Sequence, residues 1–307
     1  MKSRTYSALL LAAALIIPGM ARATDDLEEG LATMWEVLWH QSGTPTRVVR
    51  WEGDIHMRLS GIDVAKHRDM VLQAMSAVTT EANIRLVDVS DRPDLPANLT
   101  IEITPDTALE DNQPCVTVLN FRNETRIETA SVQMRSKDAW RCAHHEAMHV
   151  MGVRGHPAGK TVLSYFPFKV DALLPLDQVM LRAWYSPRMA GGMTPFEAMT
   201  VLADELVATQ PDAATATQVR NRFFSETVQQ MHNFANGNGD IPAVVRRSGK
   251  STDDGIRWGR AEMSYFLGMA YLNGAAVAAD RTQAIQWFER AASAGNRRAQ
   301  AQLGSFR

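Results

Sequence analysis

Apolar and polar positions in the first half of the chain predict several strands around one long helix. Apolar and polar side chains alternate over residues 48–59, which is the period of a half-buried strand. Over residues 63–82 the apolar side chains recur every three or four positions, as they do on one face of a helix. Further strands are expected at four shorter segments, namely residues 84–89, 99–104, 115–121 and 127–134.

A second helix, with signals at both ends, follows these strands. The side chain of Ser136 or Asp138 can cap its N-terminus, and Gly152 can end it in a left-handed conformation. The predicted helix covers residues 139–151. Strands and helices in this order are typical of an α+β domain that is built on a mixed sheet.

The second half of the chain is predicted to be helical. Helical patterns cover residues 175–185 and 214–235, and Thr194 and Pro195 begin another helix between them. Residues 236–255 are rich in Gly, Asn, Asp and Ser, so we expect a linker there.

The last part of the chain contains a repeat. Leu267-Gly268 recurs as Leu303-Gly304, with small residues and glycines between the two pairs. Residues 261–304 resemble a Sel-one-like repeat, a relative of the tetratricopeptide repeat, and the resemblance implies binding of a protein partner. A lone repeat cannot bury its own apolar face, so we expect it to pack on the helices of residues 195–235.

The first residues have the composition of a secretion signal. Lys2 and Arg4 precede an apolar run, and Ala21 and Ala23 form a small-residue cleavage site. The apolar run is too short to span a membrane comfortably. We therefore expect a signal peptide at residues 1–23, no membrane span after its removal, and a periplasmic or secreted protein.

The charge of the mature chain argues against a nucleic-acid partner. Removing the signal takes away three of the 32 basic residues and none of the 34 acidic ones, which leaves 29 against 34 and a net charge of −5. Nucleic acids are bound by clustered Lys and Arg side chains, so we expect no nucleic-acid binding.

The two cysteines, Cys115 and Cys142, favour a disulfide bond. An even number of cysteines in an exported chain is typical of disulfide pairing. In the alternative, both cysteines stay reduced and join His145 and His149 as the ligands of a structural zinc ion.

The sequence H-E-x-x-H at residues 145–149 predicts a zinc site. His145 and His149 are one helical turn apart on the same face, so two imidazole nitrogens can bind one Zn²⁺. Glu146 lies on the adjoining face, where its carboxylate can act as the base on a water that the zinc acidifies. The alternative is a helix with two surface histidines and no metal.

A catalytic zinc site needs a third protein ligand and an open position. Gly152 stops the predicted helix, and His156 follows four residues later, where the chain can return to the metal. His156 is our candidate for the third ligand, and Asp171 is the main substitute. The alternative for His156 is a solvent-exposed loop residue.

The stretch HEAMHVMGVRGH resembles the zinc signature of the metzincin peptidases, H-E-x-x-H-x-x-G-x-x-H. The resemblance covers about residues 48–185, and it implies a zinc metallopeptidase in which strands and one long helix precede the active-site helix. The family also has a turn beneath the zinc with a Met that is often followed by Tyr. Residues 161–166 resemble that turn, which makes Tyr165 a zinc neighbour or oxyanion stabiliser, or in the alternative a packed aromatic.

The chain departs from the family pattern at two positions. Six residues separate His149 and His156, where the family has five. Leu163 stands where the family has its Met, a change between apolar side chains of similar volume.

Together these patterns predict an α+β fold, with a zincin/metzincin-like catalytic domain that has a mixed sheet and an active-site helix, followed by an all-α helical-repeat tail. The expected function is that of an exported zinc-dependent endopeptidase acting on proteins or peptides. The alternatives are a non-catalytic periplasmic protein-binding module with a degenerate or structural zinc site, and a zinc hydrolase of non-peptide bonds. The expected divisions are a signal peptide at 1–23, a zincin-like domain at 24–190, a helical linker region at 191–255 and a repeat region at 256–307.

Overall fold

A computed structural model describes residues 18–39, 47–164, 172–247 and 253–306 of the chain. These residues form a mixed sheet with helices packed on it and a helical C-terminal region. The strands are β1 (Ile55–Gly61), β2 (Leu86–Asp88), β3 (Leu99–Thr104), β4 (Cys115–Arg122) and β5 (Arg126–Arg135).

Helices surround this sheet and make up the second half of the described chain. A short 3₁₀ turn, Ser136–Asp138, precedes the third of them. The helices are α1 (Pro18–Val37), α2 (Val64–Glu81), α3 (Ala139–Val150), α4 (Pro175–Trp184), α5 (Pro195–Ala208), α6 (Ala213–Ala235), α7 (Ala243–Arg247), α8 (Asp253–Asn273), α9 (Arg281–Ser293) and α10 (Arg297–Gly304).

The strand order in the sheet is β2-β1-β3-β5-β4. The first four strands in this order are parallel, and β4 pairs with β5 in the antiparallel direction at one edge. The predicted mixed sheet is therefore confirmed. Since β4 is an edge strand, one row of its backbone N–H and C=O groups faces away from the sheet.

The strand predicted at residues 48–59 is wrong at its beginning, because β1 starts only at Ile55. The preceding backbone bonds to other partners: the N–H of Val48 donates to the carbonyl of Met193, and that of Arg50 donates to Thr125. The apolar side chains in this segment are buried all the same. Trp51 is one of them, and its indole N–H donates to the carbonyl of Val150 at 2.8 Å.

Helices α2 and α3 pack on each other. Helix α2 contacts the sheet at β1, and helix α3 contacts it at β4 and β5. The apolar side chains that predicted α2 line its inner face, where Val71, Met75 and Val78 are buried. Helix α1 is part of the same core, with Leu31 and Met34 fully buried. The periodic apolar positions therefore mark the faces that pack in the core.

The C-terminal helices pack on the rest of the protein, as the repeat pattern predicted. Helix α8 contacts α5 and α6. The ring centroids of Trp39 and Phe266 are 5.9 Å apart, and those of His232 and Trp287 are 4.9 Å apart. The repeat thus buries its apolar face against helices that precede it.

The linker predicted at residues 236–255 is more structured than its composition indicated. It contains α7, and α8 already begins at Asp253. Val244 and Val245 of α7 are buried in the main core. Together with Ile241, which packs against the same core, these valines dock a segment that is otherwise polar.

None of the described helices is long and apolar enough to cross a bilayer. Helix α1 begins at Pro18, so the predicted signal cleavage site after Ala23 falls within it. Residues 1–17 of the predicted signal peptide lie outside the described residues.

Candidate metal centre

Helix α3 carries the H-E-x-x-H sequence. The sequence predicted the end of this helix correctly but not the cap at its beginning. Asp138 is at the N-cap position, but its carboxylate forms ion pairs with Arg135 and Arg141 instead of a side-chain cap. The predicted side-chain cap, from Ser136 or Asp138, is therefore wrong. The predicted C-terminal stop is confirmed, because Gly152 has a φ of 89° and a Cβ there would overlap the carbonyl oxygen of Val49.

Three histidines converge on one point. The Nε2 atom of His145 lies 3.1 Å from that of His149 and 3.2 Å from that of His156, and the remaining pair is 3.0 Å apart. Among the described residues these three side chains form a group that could hold a metal ion. The structure thus brings His156 to the two histidines of the motif, despite the extra residue between His149 and His156.

The other ring nitrogen of each motif histidine is held by a backbone carbonyl. Nδ1 of His145 lies 2.8 Å from the oxygen of Val162, and Nδ1 of His149 lies 2.8 Å from the oxygen of Val153. A carbonyl accepts only, so Nδ1 carries the proton and Nε2 presents a lone pair. Burial lowers the pKa of His145, which favours the neutral ring that metals bind.

The spacing of the three Nε2 atoms fits a zinc ion. Zinc–nitrogen bonds of about 2.0–2.1 Å at tetrahedral angles place ligand nitrogens about 3.3 Å apart. The three measured separations are 3.0–3.2 Å. Lone pairs aimed at one another at this distance repel unless a cation lies between them, so the donor set suits a metal.

Glu146 is buried beside this group. One of its oxygens accepts a hydrogen bond of 2.6 Å from the Thr117 hydroxyl on β4, and the other lies 4.0 Å from Nε2 of His145. Burial raises the pKa of Glu146 to about 7, and the hydrogen bond from Thr117 opposes this shift. A carboxyl group in this position can both take up and release a proton near neutral pH.

A buried aspartate braces the turn that holds His145. Asp177 on α4 is fully buried, and its carboxylate accepts hydrogen bonds from the backbone N–H of Val162 at 3.2 Å and of Leu174 at 2.9 Å. Burial raises the pKa of Asp177 to about 6, against the effect of these bonds. Since the carbonyl of Val162 accepts from His145, Asp177 acts on the imidazole through the turn.

The loop that carries His156 rests on α1. The carboxylate of Glu36 accepts a 2.7 Å hydrogen bond from the N–H of Ala158. A Cβ at Gly155 would overlap the carbonyl oxygen of Val37, and one at Gly159 would overlap the Thr33 side chain. Helix α1 can therefore approach this loop closely enough to fix its path.

Two residues that the sequence singled out lie outside the described residues. These are Tyr165, the predicted zinc neighbour, and Asp171, the substitute third ligand. Leu163, at the position of the family's Met, is fully buried.

The histidine group opens into a cavity of about 780 Å³ that β4 borders along its length. Thr117 and Phe121 of β4 line this cavity, as do Arg141 and Arg154. The sequence analysis did not single out Thr117 or Arg154, because an isolated Thr in a strand and an isolated Arg in a loop carry no spacing signal. Asp177 could have been found only as an acid in the first turn of α4.

The two cysteines are bonded to each other, as predicted. The disulfide joins Cys115 at the start of β4 to Cys142 on α3, across a sequence separation of 27 residues. In this state neither sulfur is a zinc ligand, so the four-ligand structural zinc is wrong for the bonded form. The bond ties the edge strand of the cavity to the helix that carries the histidines.

The double variant Cys115→Ser/Cys142→Ser should lose stability. A crosslink across 27 residues lowers the entropy of the unfolded chain, and its loss should cost about 3–4 kcal/mol in the free energy of unfolding. Denaturant unfolding of both proteins measures this difference. A reducing agent should destabilise the wild-type chain and leave the variant unchanged; equal sensitivity of the two would contradict the role of this bond.

Comparison with known proteins identifies one part of the chain. Searches of the curated proteins and of solved structures returned no match. The family model of the Sel1 repeat matches residues 261–296, which lie within α8 and α9 and extend to the loop before α10. This match lies outside the segment with the histidine group. Residues 261–296 are therefore a Sel1 repeat, as the pattern of leucines, glycines and small residues predicted.

Proposed function

We propose that the chain is an exported zinc-dependent endopeptidase with a zincin-like catalytic domain. The observation that carries this proposal is the convergence of three Nε2 atoms within 3.0–3.2 Å next to the buried carboxylate of Glu146. A purely structural zinc site has no use for a carboxylate at this place. The order of strands and helices before α3 also agrees with the resemblance to the metzincins.

Each residue of the group has a distinct role in the proposed reaction. His145, His149 and His156 hold the zinc ion through Nε2. When bound, zinc lowers the pKa of a water molecule and polarises the carbonyl of the scissile bond. Glu146 takes the proton from the attacking water and passes it to the leaving amine. Thr117 orients the Glu146 carboxylate through its 2.6 Å hydrogen bond.

The edge strand β4 favours a peptide as the substrate. Among the described residues its outer edge has no paired strand, and its residues line the cavity. An extended peptide can add to such an edge through backbone hydrogen bonds. The strand has eight residues and is therefore about 26 Å long. It extends to both sides of Thr117, which suits internal bonds of a peptide better than terminal ones.

Tyr165 stays a prediction. The resemblance to the metzincins makes it a zinc neighbour or an oxyanion stabiliser.

A second candidate function is protein binding through the Sel1 repeat, a kind of repeat that commonly mediates protein interactions. Trp258 of α8 lies three residues before the matched segment 261–296 and is 42% exposed. It borders a cavity of about 290 Å³ together with Arg297 and Arg298. An exposed Trp next to arginines is typical of interface anchors. This function is compatible with the peptidase activity, because a bound partner at the repeat can be a substrate or a regulator.

The metal content of the purified chain tests the proposal. Under non-reducing conditions the wild-type chain should hold about one zinc ion, and the His145→Ala/His149→Ala variant should hold none. The zinc-loaded chain should then cleave an unfolded protein substrate, and a chelator should stop the cleavage.

Two results would contradict the peptidase proposal. If the wild-type chain holds no zinc even after reconstitution, the peptidase proposal fails and protein binding becomes the better one. If zinc binds at the histidines but no peptide bond is cleaved, a zinc hydrolase of another bond takes its place.

A further inference from the structure

Arg154 brings a cation into the cavity of the histidine group. It lies on the loop between His149 and His156, and it lines the same cavity as they do. Its guanidinium carbon is 5.8 Å from the ring centroid of Phe121 on β4. One polar contact holds it, from Nη2 to the carbonyl oxygen of Arg47 at 3.5 Å.

Within the part of the chain that the structure describes, no carboxylate forms an ion pair with Arg154. Arg47, next to it, pairs with Glu124 at 2.8 Å, and the same carboxylate lies 3.6 Å from Arg298. Two other guanidinium groups therefore share the Glu124 carboxylate at this end of β4, and Arg154 contacts only the backbone of one of them. A partly buried cation without a counter-ion is costly, and a substrate anion would remove that cost.

Arg141, the other arginine that borders the cavity, differs in this respect. Its guanidinium lies 2.5 Å from the carboxylate of Asp138. It is on α3, one residue before the disulfide-bonded Cys142, which joins the start of β4. The cavity thus has a neutralised arginine near the start of β4 and an unneutralised one near its end.

The position of Arg154 along β4 sets its distance from the chemistry. Thr117 contacts Glu146, and Phe121, four residues later, contacts Arg154. Four residues of a strand extend over about 13 Å. A peptide that lies along β4 therefore reaches Arg154 about four residues from the bond at Glu146.

We propose that Arg154 binds an acidic side chain of the substrate, an aspartate or glutamate about four residues from the cleaved bond, so that acidic peptides are the preferred substrates. The proposal rests on the proposed function for the place of cleavage. The binding of the carboxylate rests on the geometry at Arg154 alone. A guanidinium binds a carboxylate through two parallel hydrogen bonds, which gives both strength and direction.

The test uses two peptide libraries with amidated C-termini, one with a fixed Glu and one with Gln at the same place among random residues. Binding to the zinc-loaded Glu146→Gln chain is measured by fluorescence anisotropy, so that cleavage does not consume the peptide. The Glu library should bind about 10- to 100-fold more tightly, as a charge-assisted hydrogen bond predicts. Arg154→Gln in the same background should abolish this preference, and Arg154→Lys should keep part of it.

Arg141→Gln is the matched control, because it removes a cavity arginine that already has a carboxylate partner. It should keep the preference for Glu. The zinc content of every variant shows that the histidine group is intact. Equal binding of both libraries, or a preference that persists in Arg154→Gln, would overturn the proposal.

The outcomes separate this proposal from the peptidase proposal. If the wild-type chain cleaves neither library but Arg154 confers the preference for Glu, the peptidase proposal fails and the carboxylate site stands. If both libraries are cleaved and bound equally well, the peptidase proposal stands and the role of Arg154 is refuted.

Discussion

The Glu146→Gln variant is expected to keep its zinc and lose peptide hydrolysis by a factor of about 10²–10⁴, the usual contribution of a general base. Gln has nearly the same shape as Glu, and it can still accept the 2.6 Å hydrogen bond from Thr117. It cannot take a proton from water at neutral pH. The three imidazoles stay in place, so zinc content and kcat should separate.

Zinc content, kcat and KM of the purified variant measure this separation. A fall in kcat at unchanged zinc content identifies Glu146 as the base. Wild-type rates in the variant would remove Glu146 from the mechanism. Loss of zinc would instead give the carboxylate a structural role in the metal group.

Thr117→Val provides a graded comparison. The change removes the hydroxyl that donates to Glu146 and keeps the shape of the side chain. A hydrogen bond to a charged group contributes about 1.5–3 kcal/mol, so we expect a loss of about ten-fold or more in kcat. This loss should depend on Glu146: in the Glu146→Gln background the same change should have little further effect, because the two residues act as one unit.

Periodic patterns predicted the framework of this fold well. The strands β3, β4 and β5 and the helices α2 and α3 lie within one or two residues of their predicted positions. In β3 and β5 and in the two helices, one set of side chains is buried in the core, and such burial leaves a period in the sequence. The edge strand β4 has no fully buried side chain. Of the apolar positions that defined the pattern of α2, Val71, Met75 and Val78 are buried, and Val64 and Leu72 are partly buried against the same core.

Other predictions failed where the local sequence pattern implies one hydrogen-bond partner and the folded chain supplies another. Val48, Val49 and Trp51 are buried as the side chains of a strand would be. The N–H groups of Val48 and Arg50, however, donate to Met193 and Thr125, which are far away in the sequence and outside the regular strand pairs. Asp138 has the side chain of a helix cap, but two arginines compete successfully for its carboxylate. Local residue preferences do not contain these long-range competitors.

The residues of the histidine site also fall into two groups, those that the sequence spacing predicted and those that it did not. His145, Glu146 and His149 could be placed from spacing alone, because a helix has a fixed geometry. His156 follows a loop, and no rule of spacing determines where a loop returns. Its position depends on α1, which lies about 120 residues earlier in the chain. Helix α1 can approach the His156 loop because the loop has glycines, Gly155 and Gly159, at the two contacts. Arg154 and Asp177 depend equally on contacts that appear only in the folded chain.

The second large effect that we expect is a loss of zinc affinity when His156, the proposed third ligand, is replaced. Loss of a residue that only hydrogen-bonds to a metal ligand typically lowers metal affinity 10- to 100-fold. His156→Ala removes a ligand itself, so it should lower zinc affinity by more than this. Two ligands on one helical turn would remain, with Nε2 atoms 3.1 Å apart. Competition with a chelator of known affinity measures the loss. His232→Ala is the matched control, since it removes an imidazole that contacts Tyr271 and Trp287 in the helical region.

A second variant tests whether α1 holds this ligand in place. Gly155→Ala keeps every histidine but puts a Cβ against the carbonyl oxygen of Val37, so the loop must move. It should weaken zinc binding in the same direction as His156→Ala, by a smaller factor. If His156→Ala retains full zinc affinity, the third ligand lies elsewhere, and Asp171 is the residue to change next. If only Gly155→Ala retains it, His156 is the ligand and its loop adapts to a shift of α1.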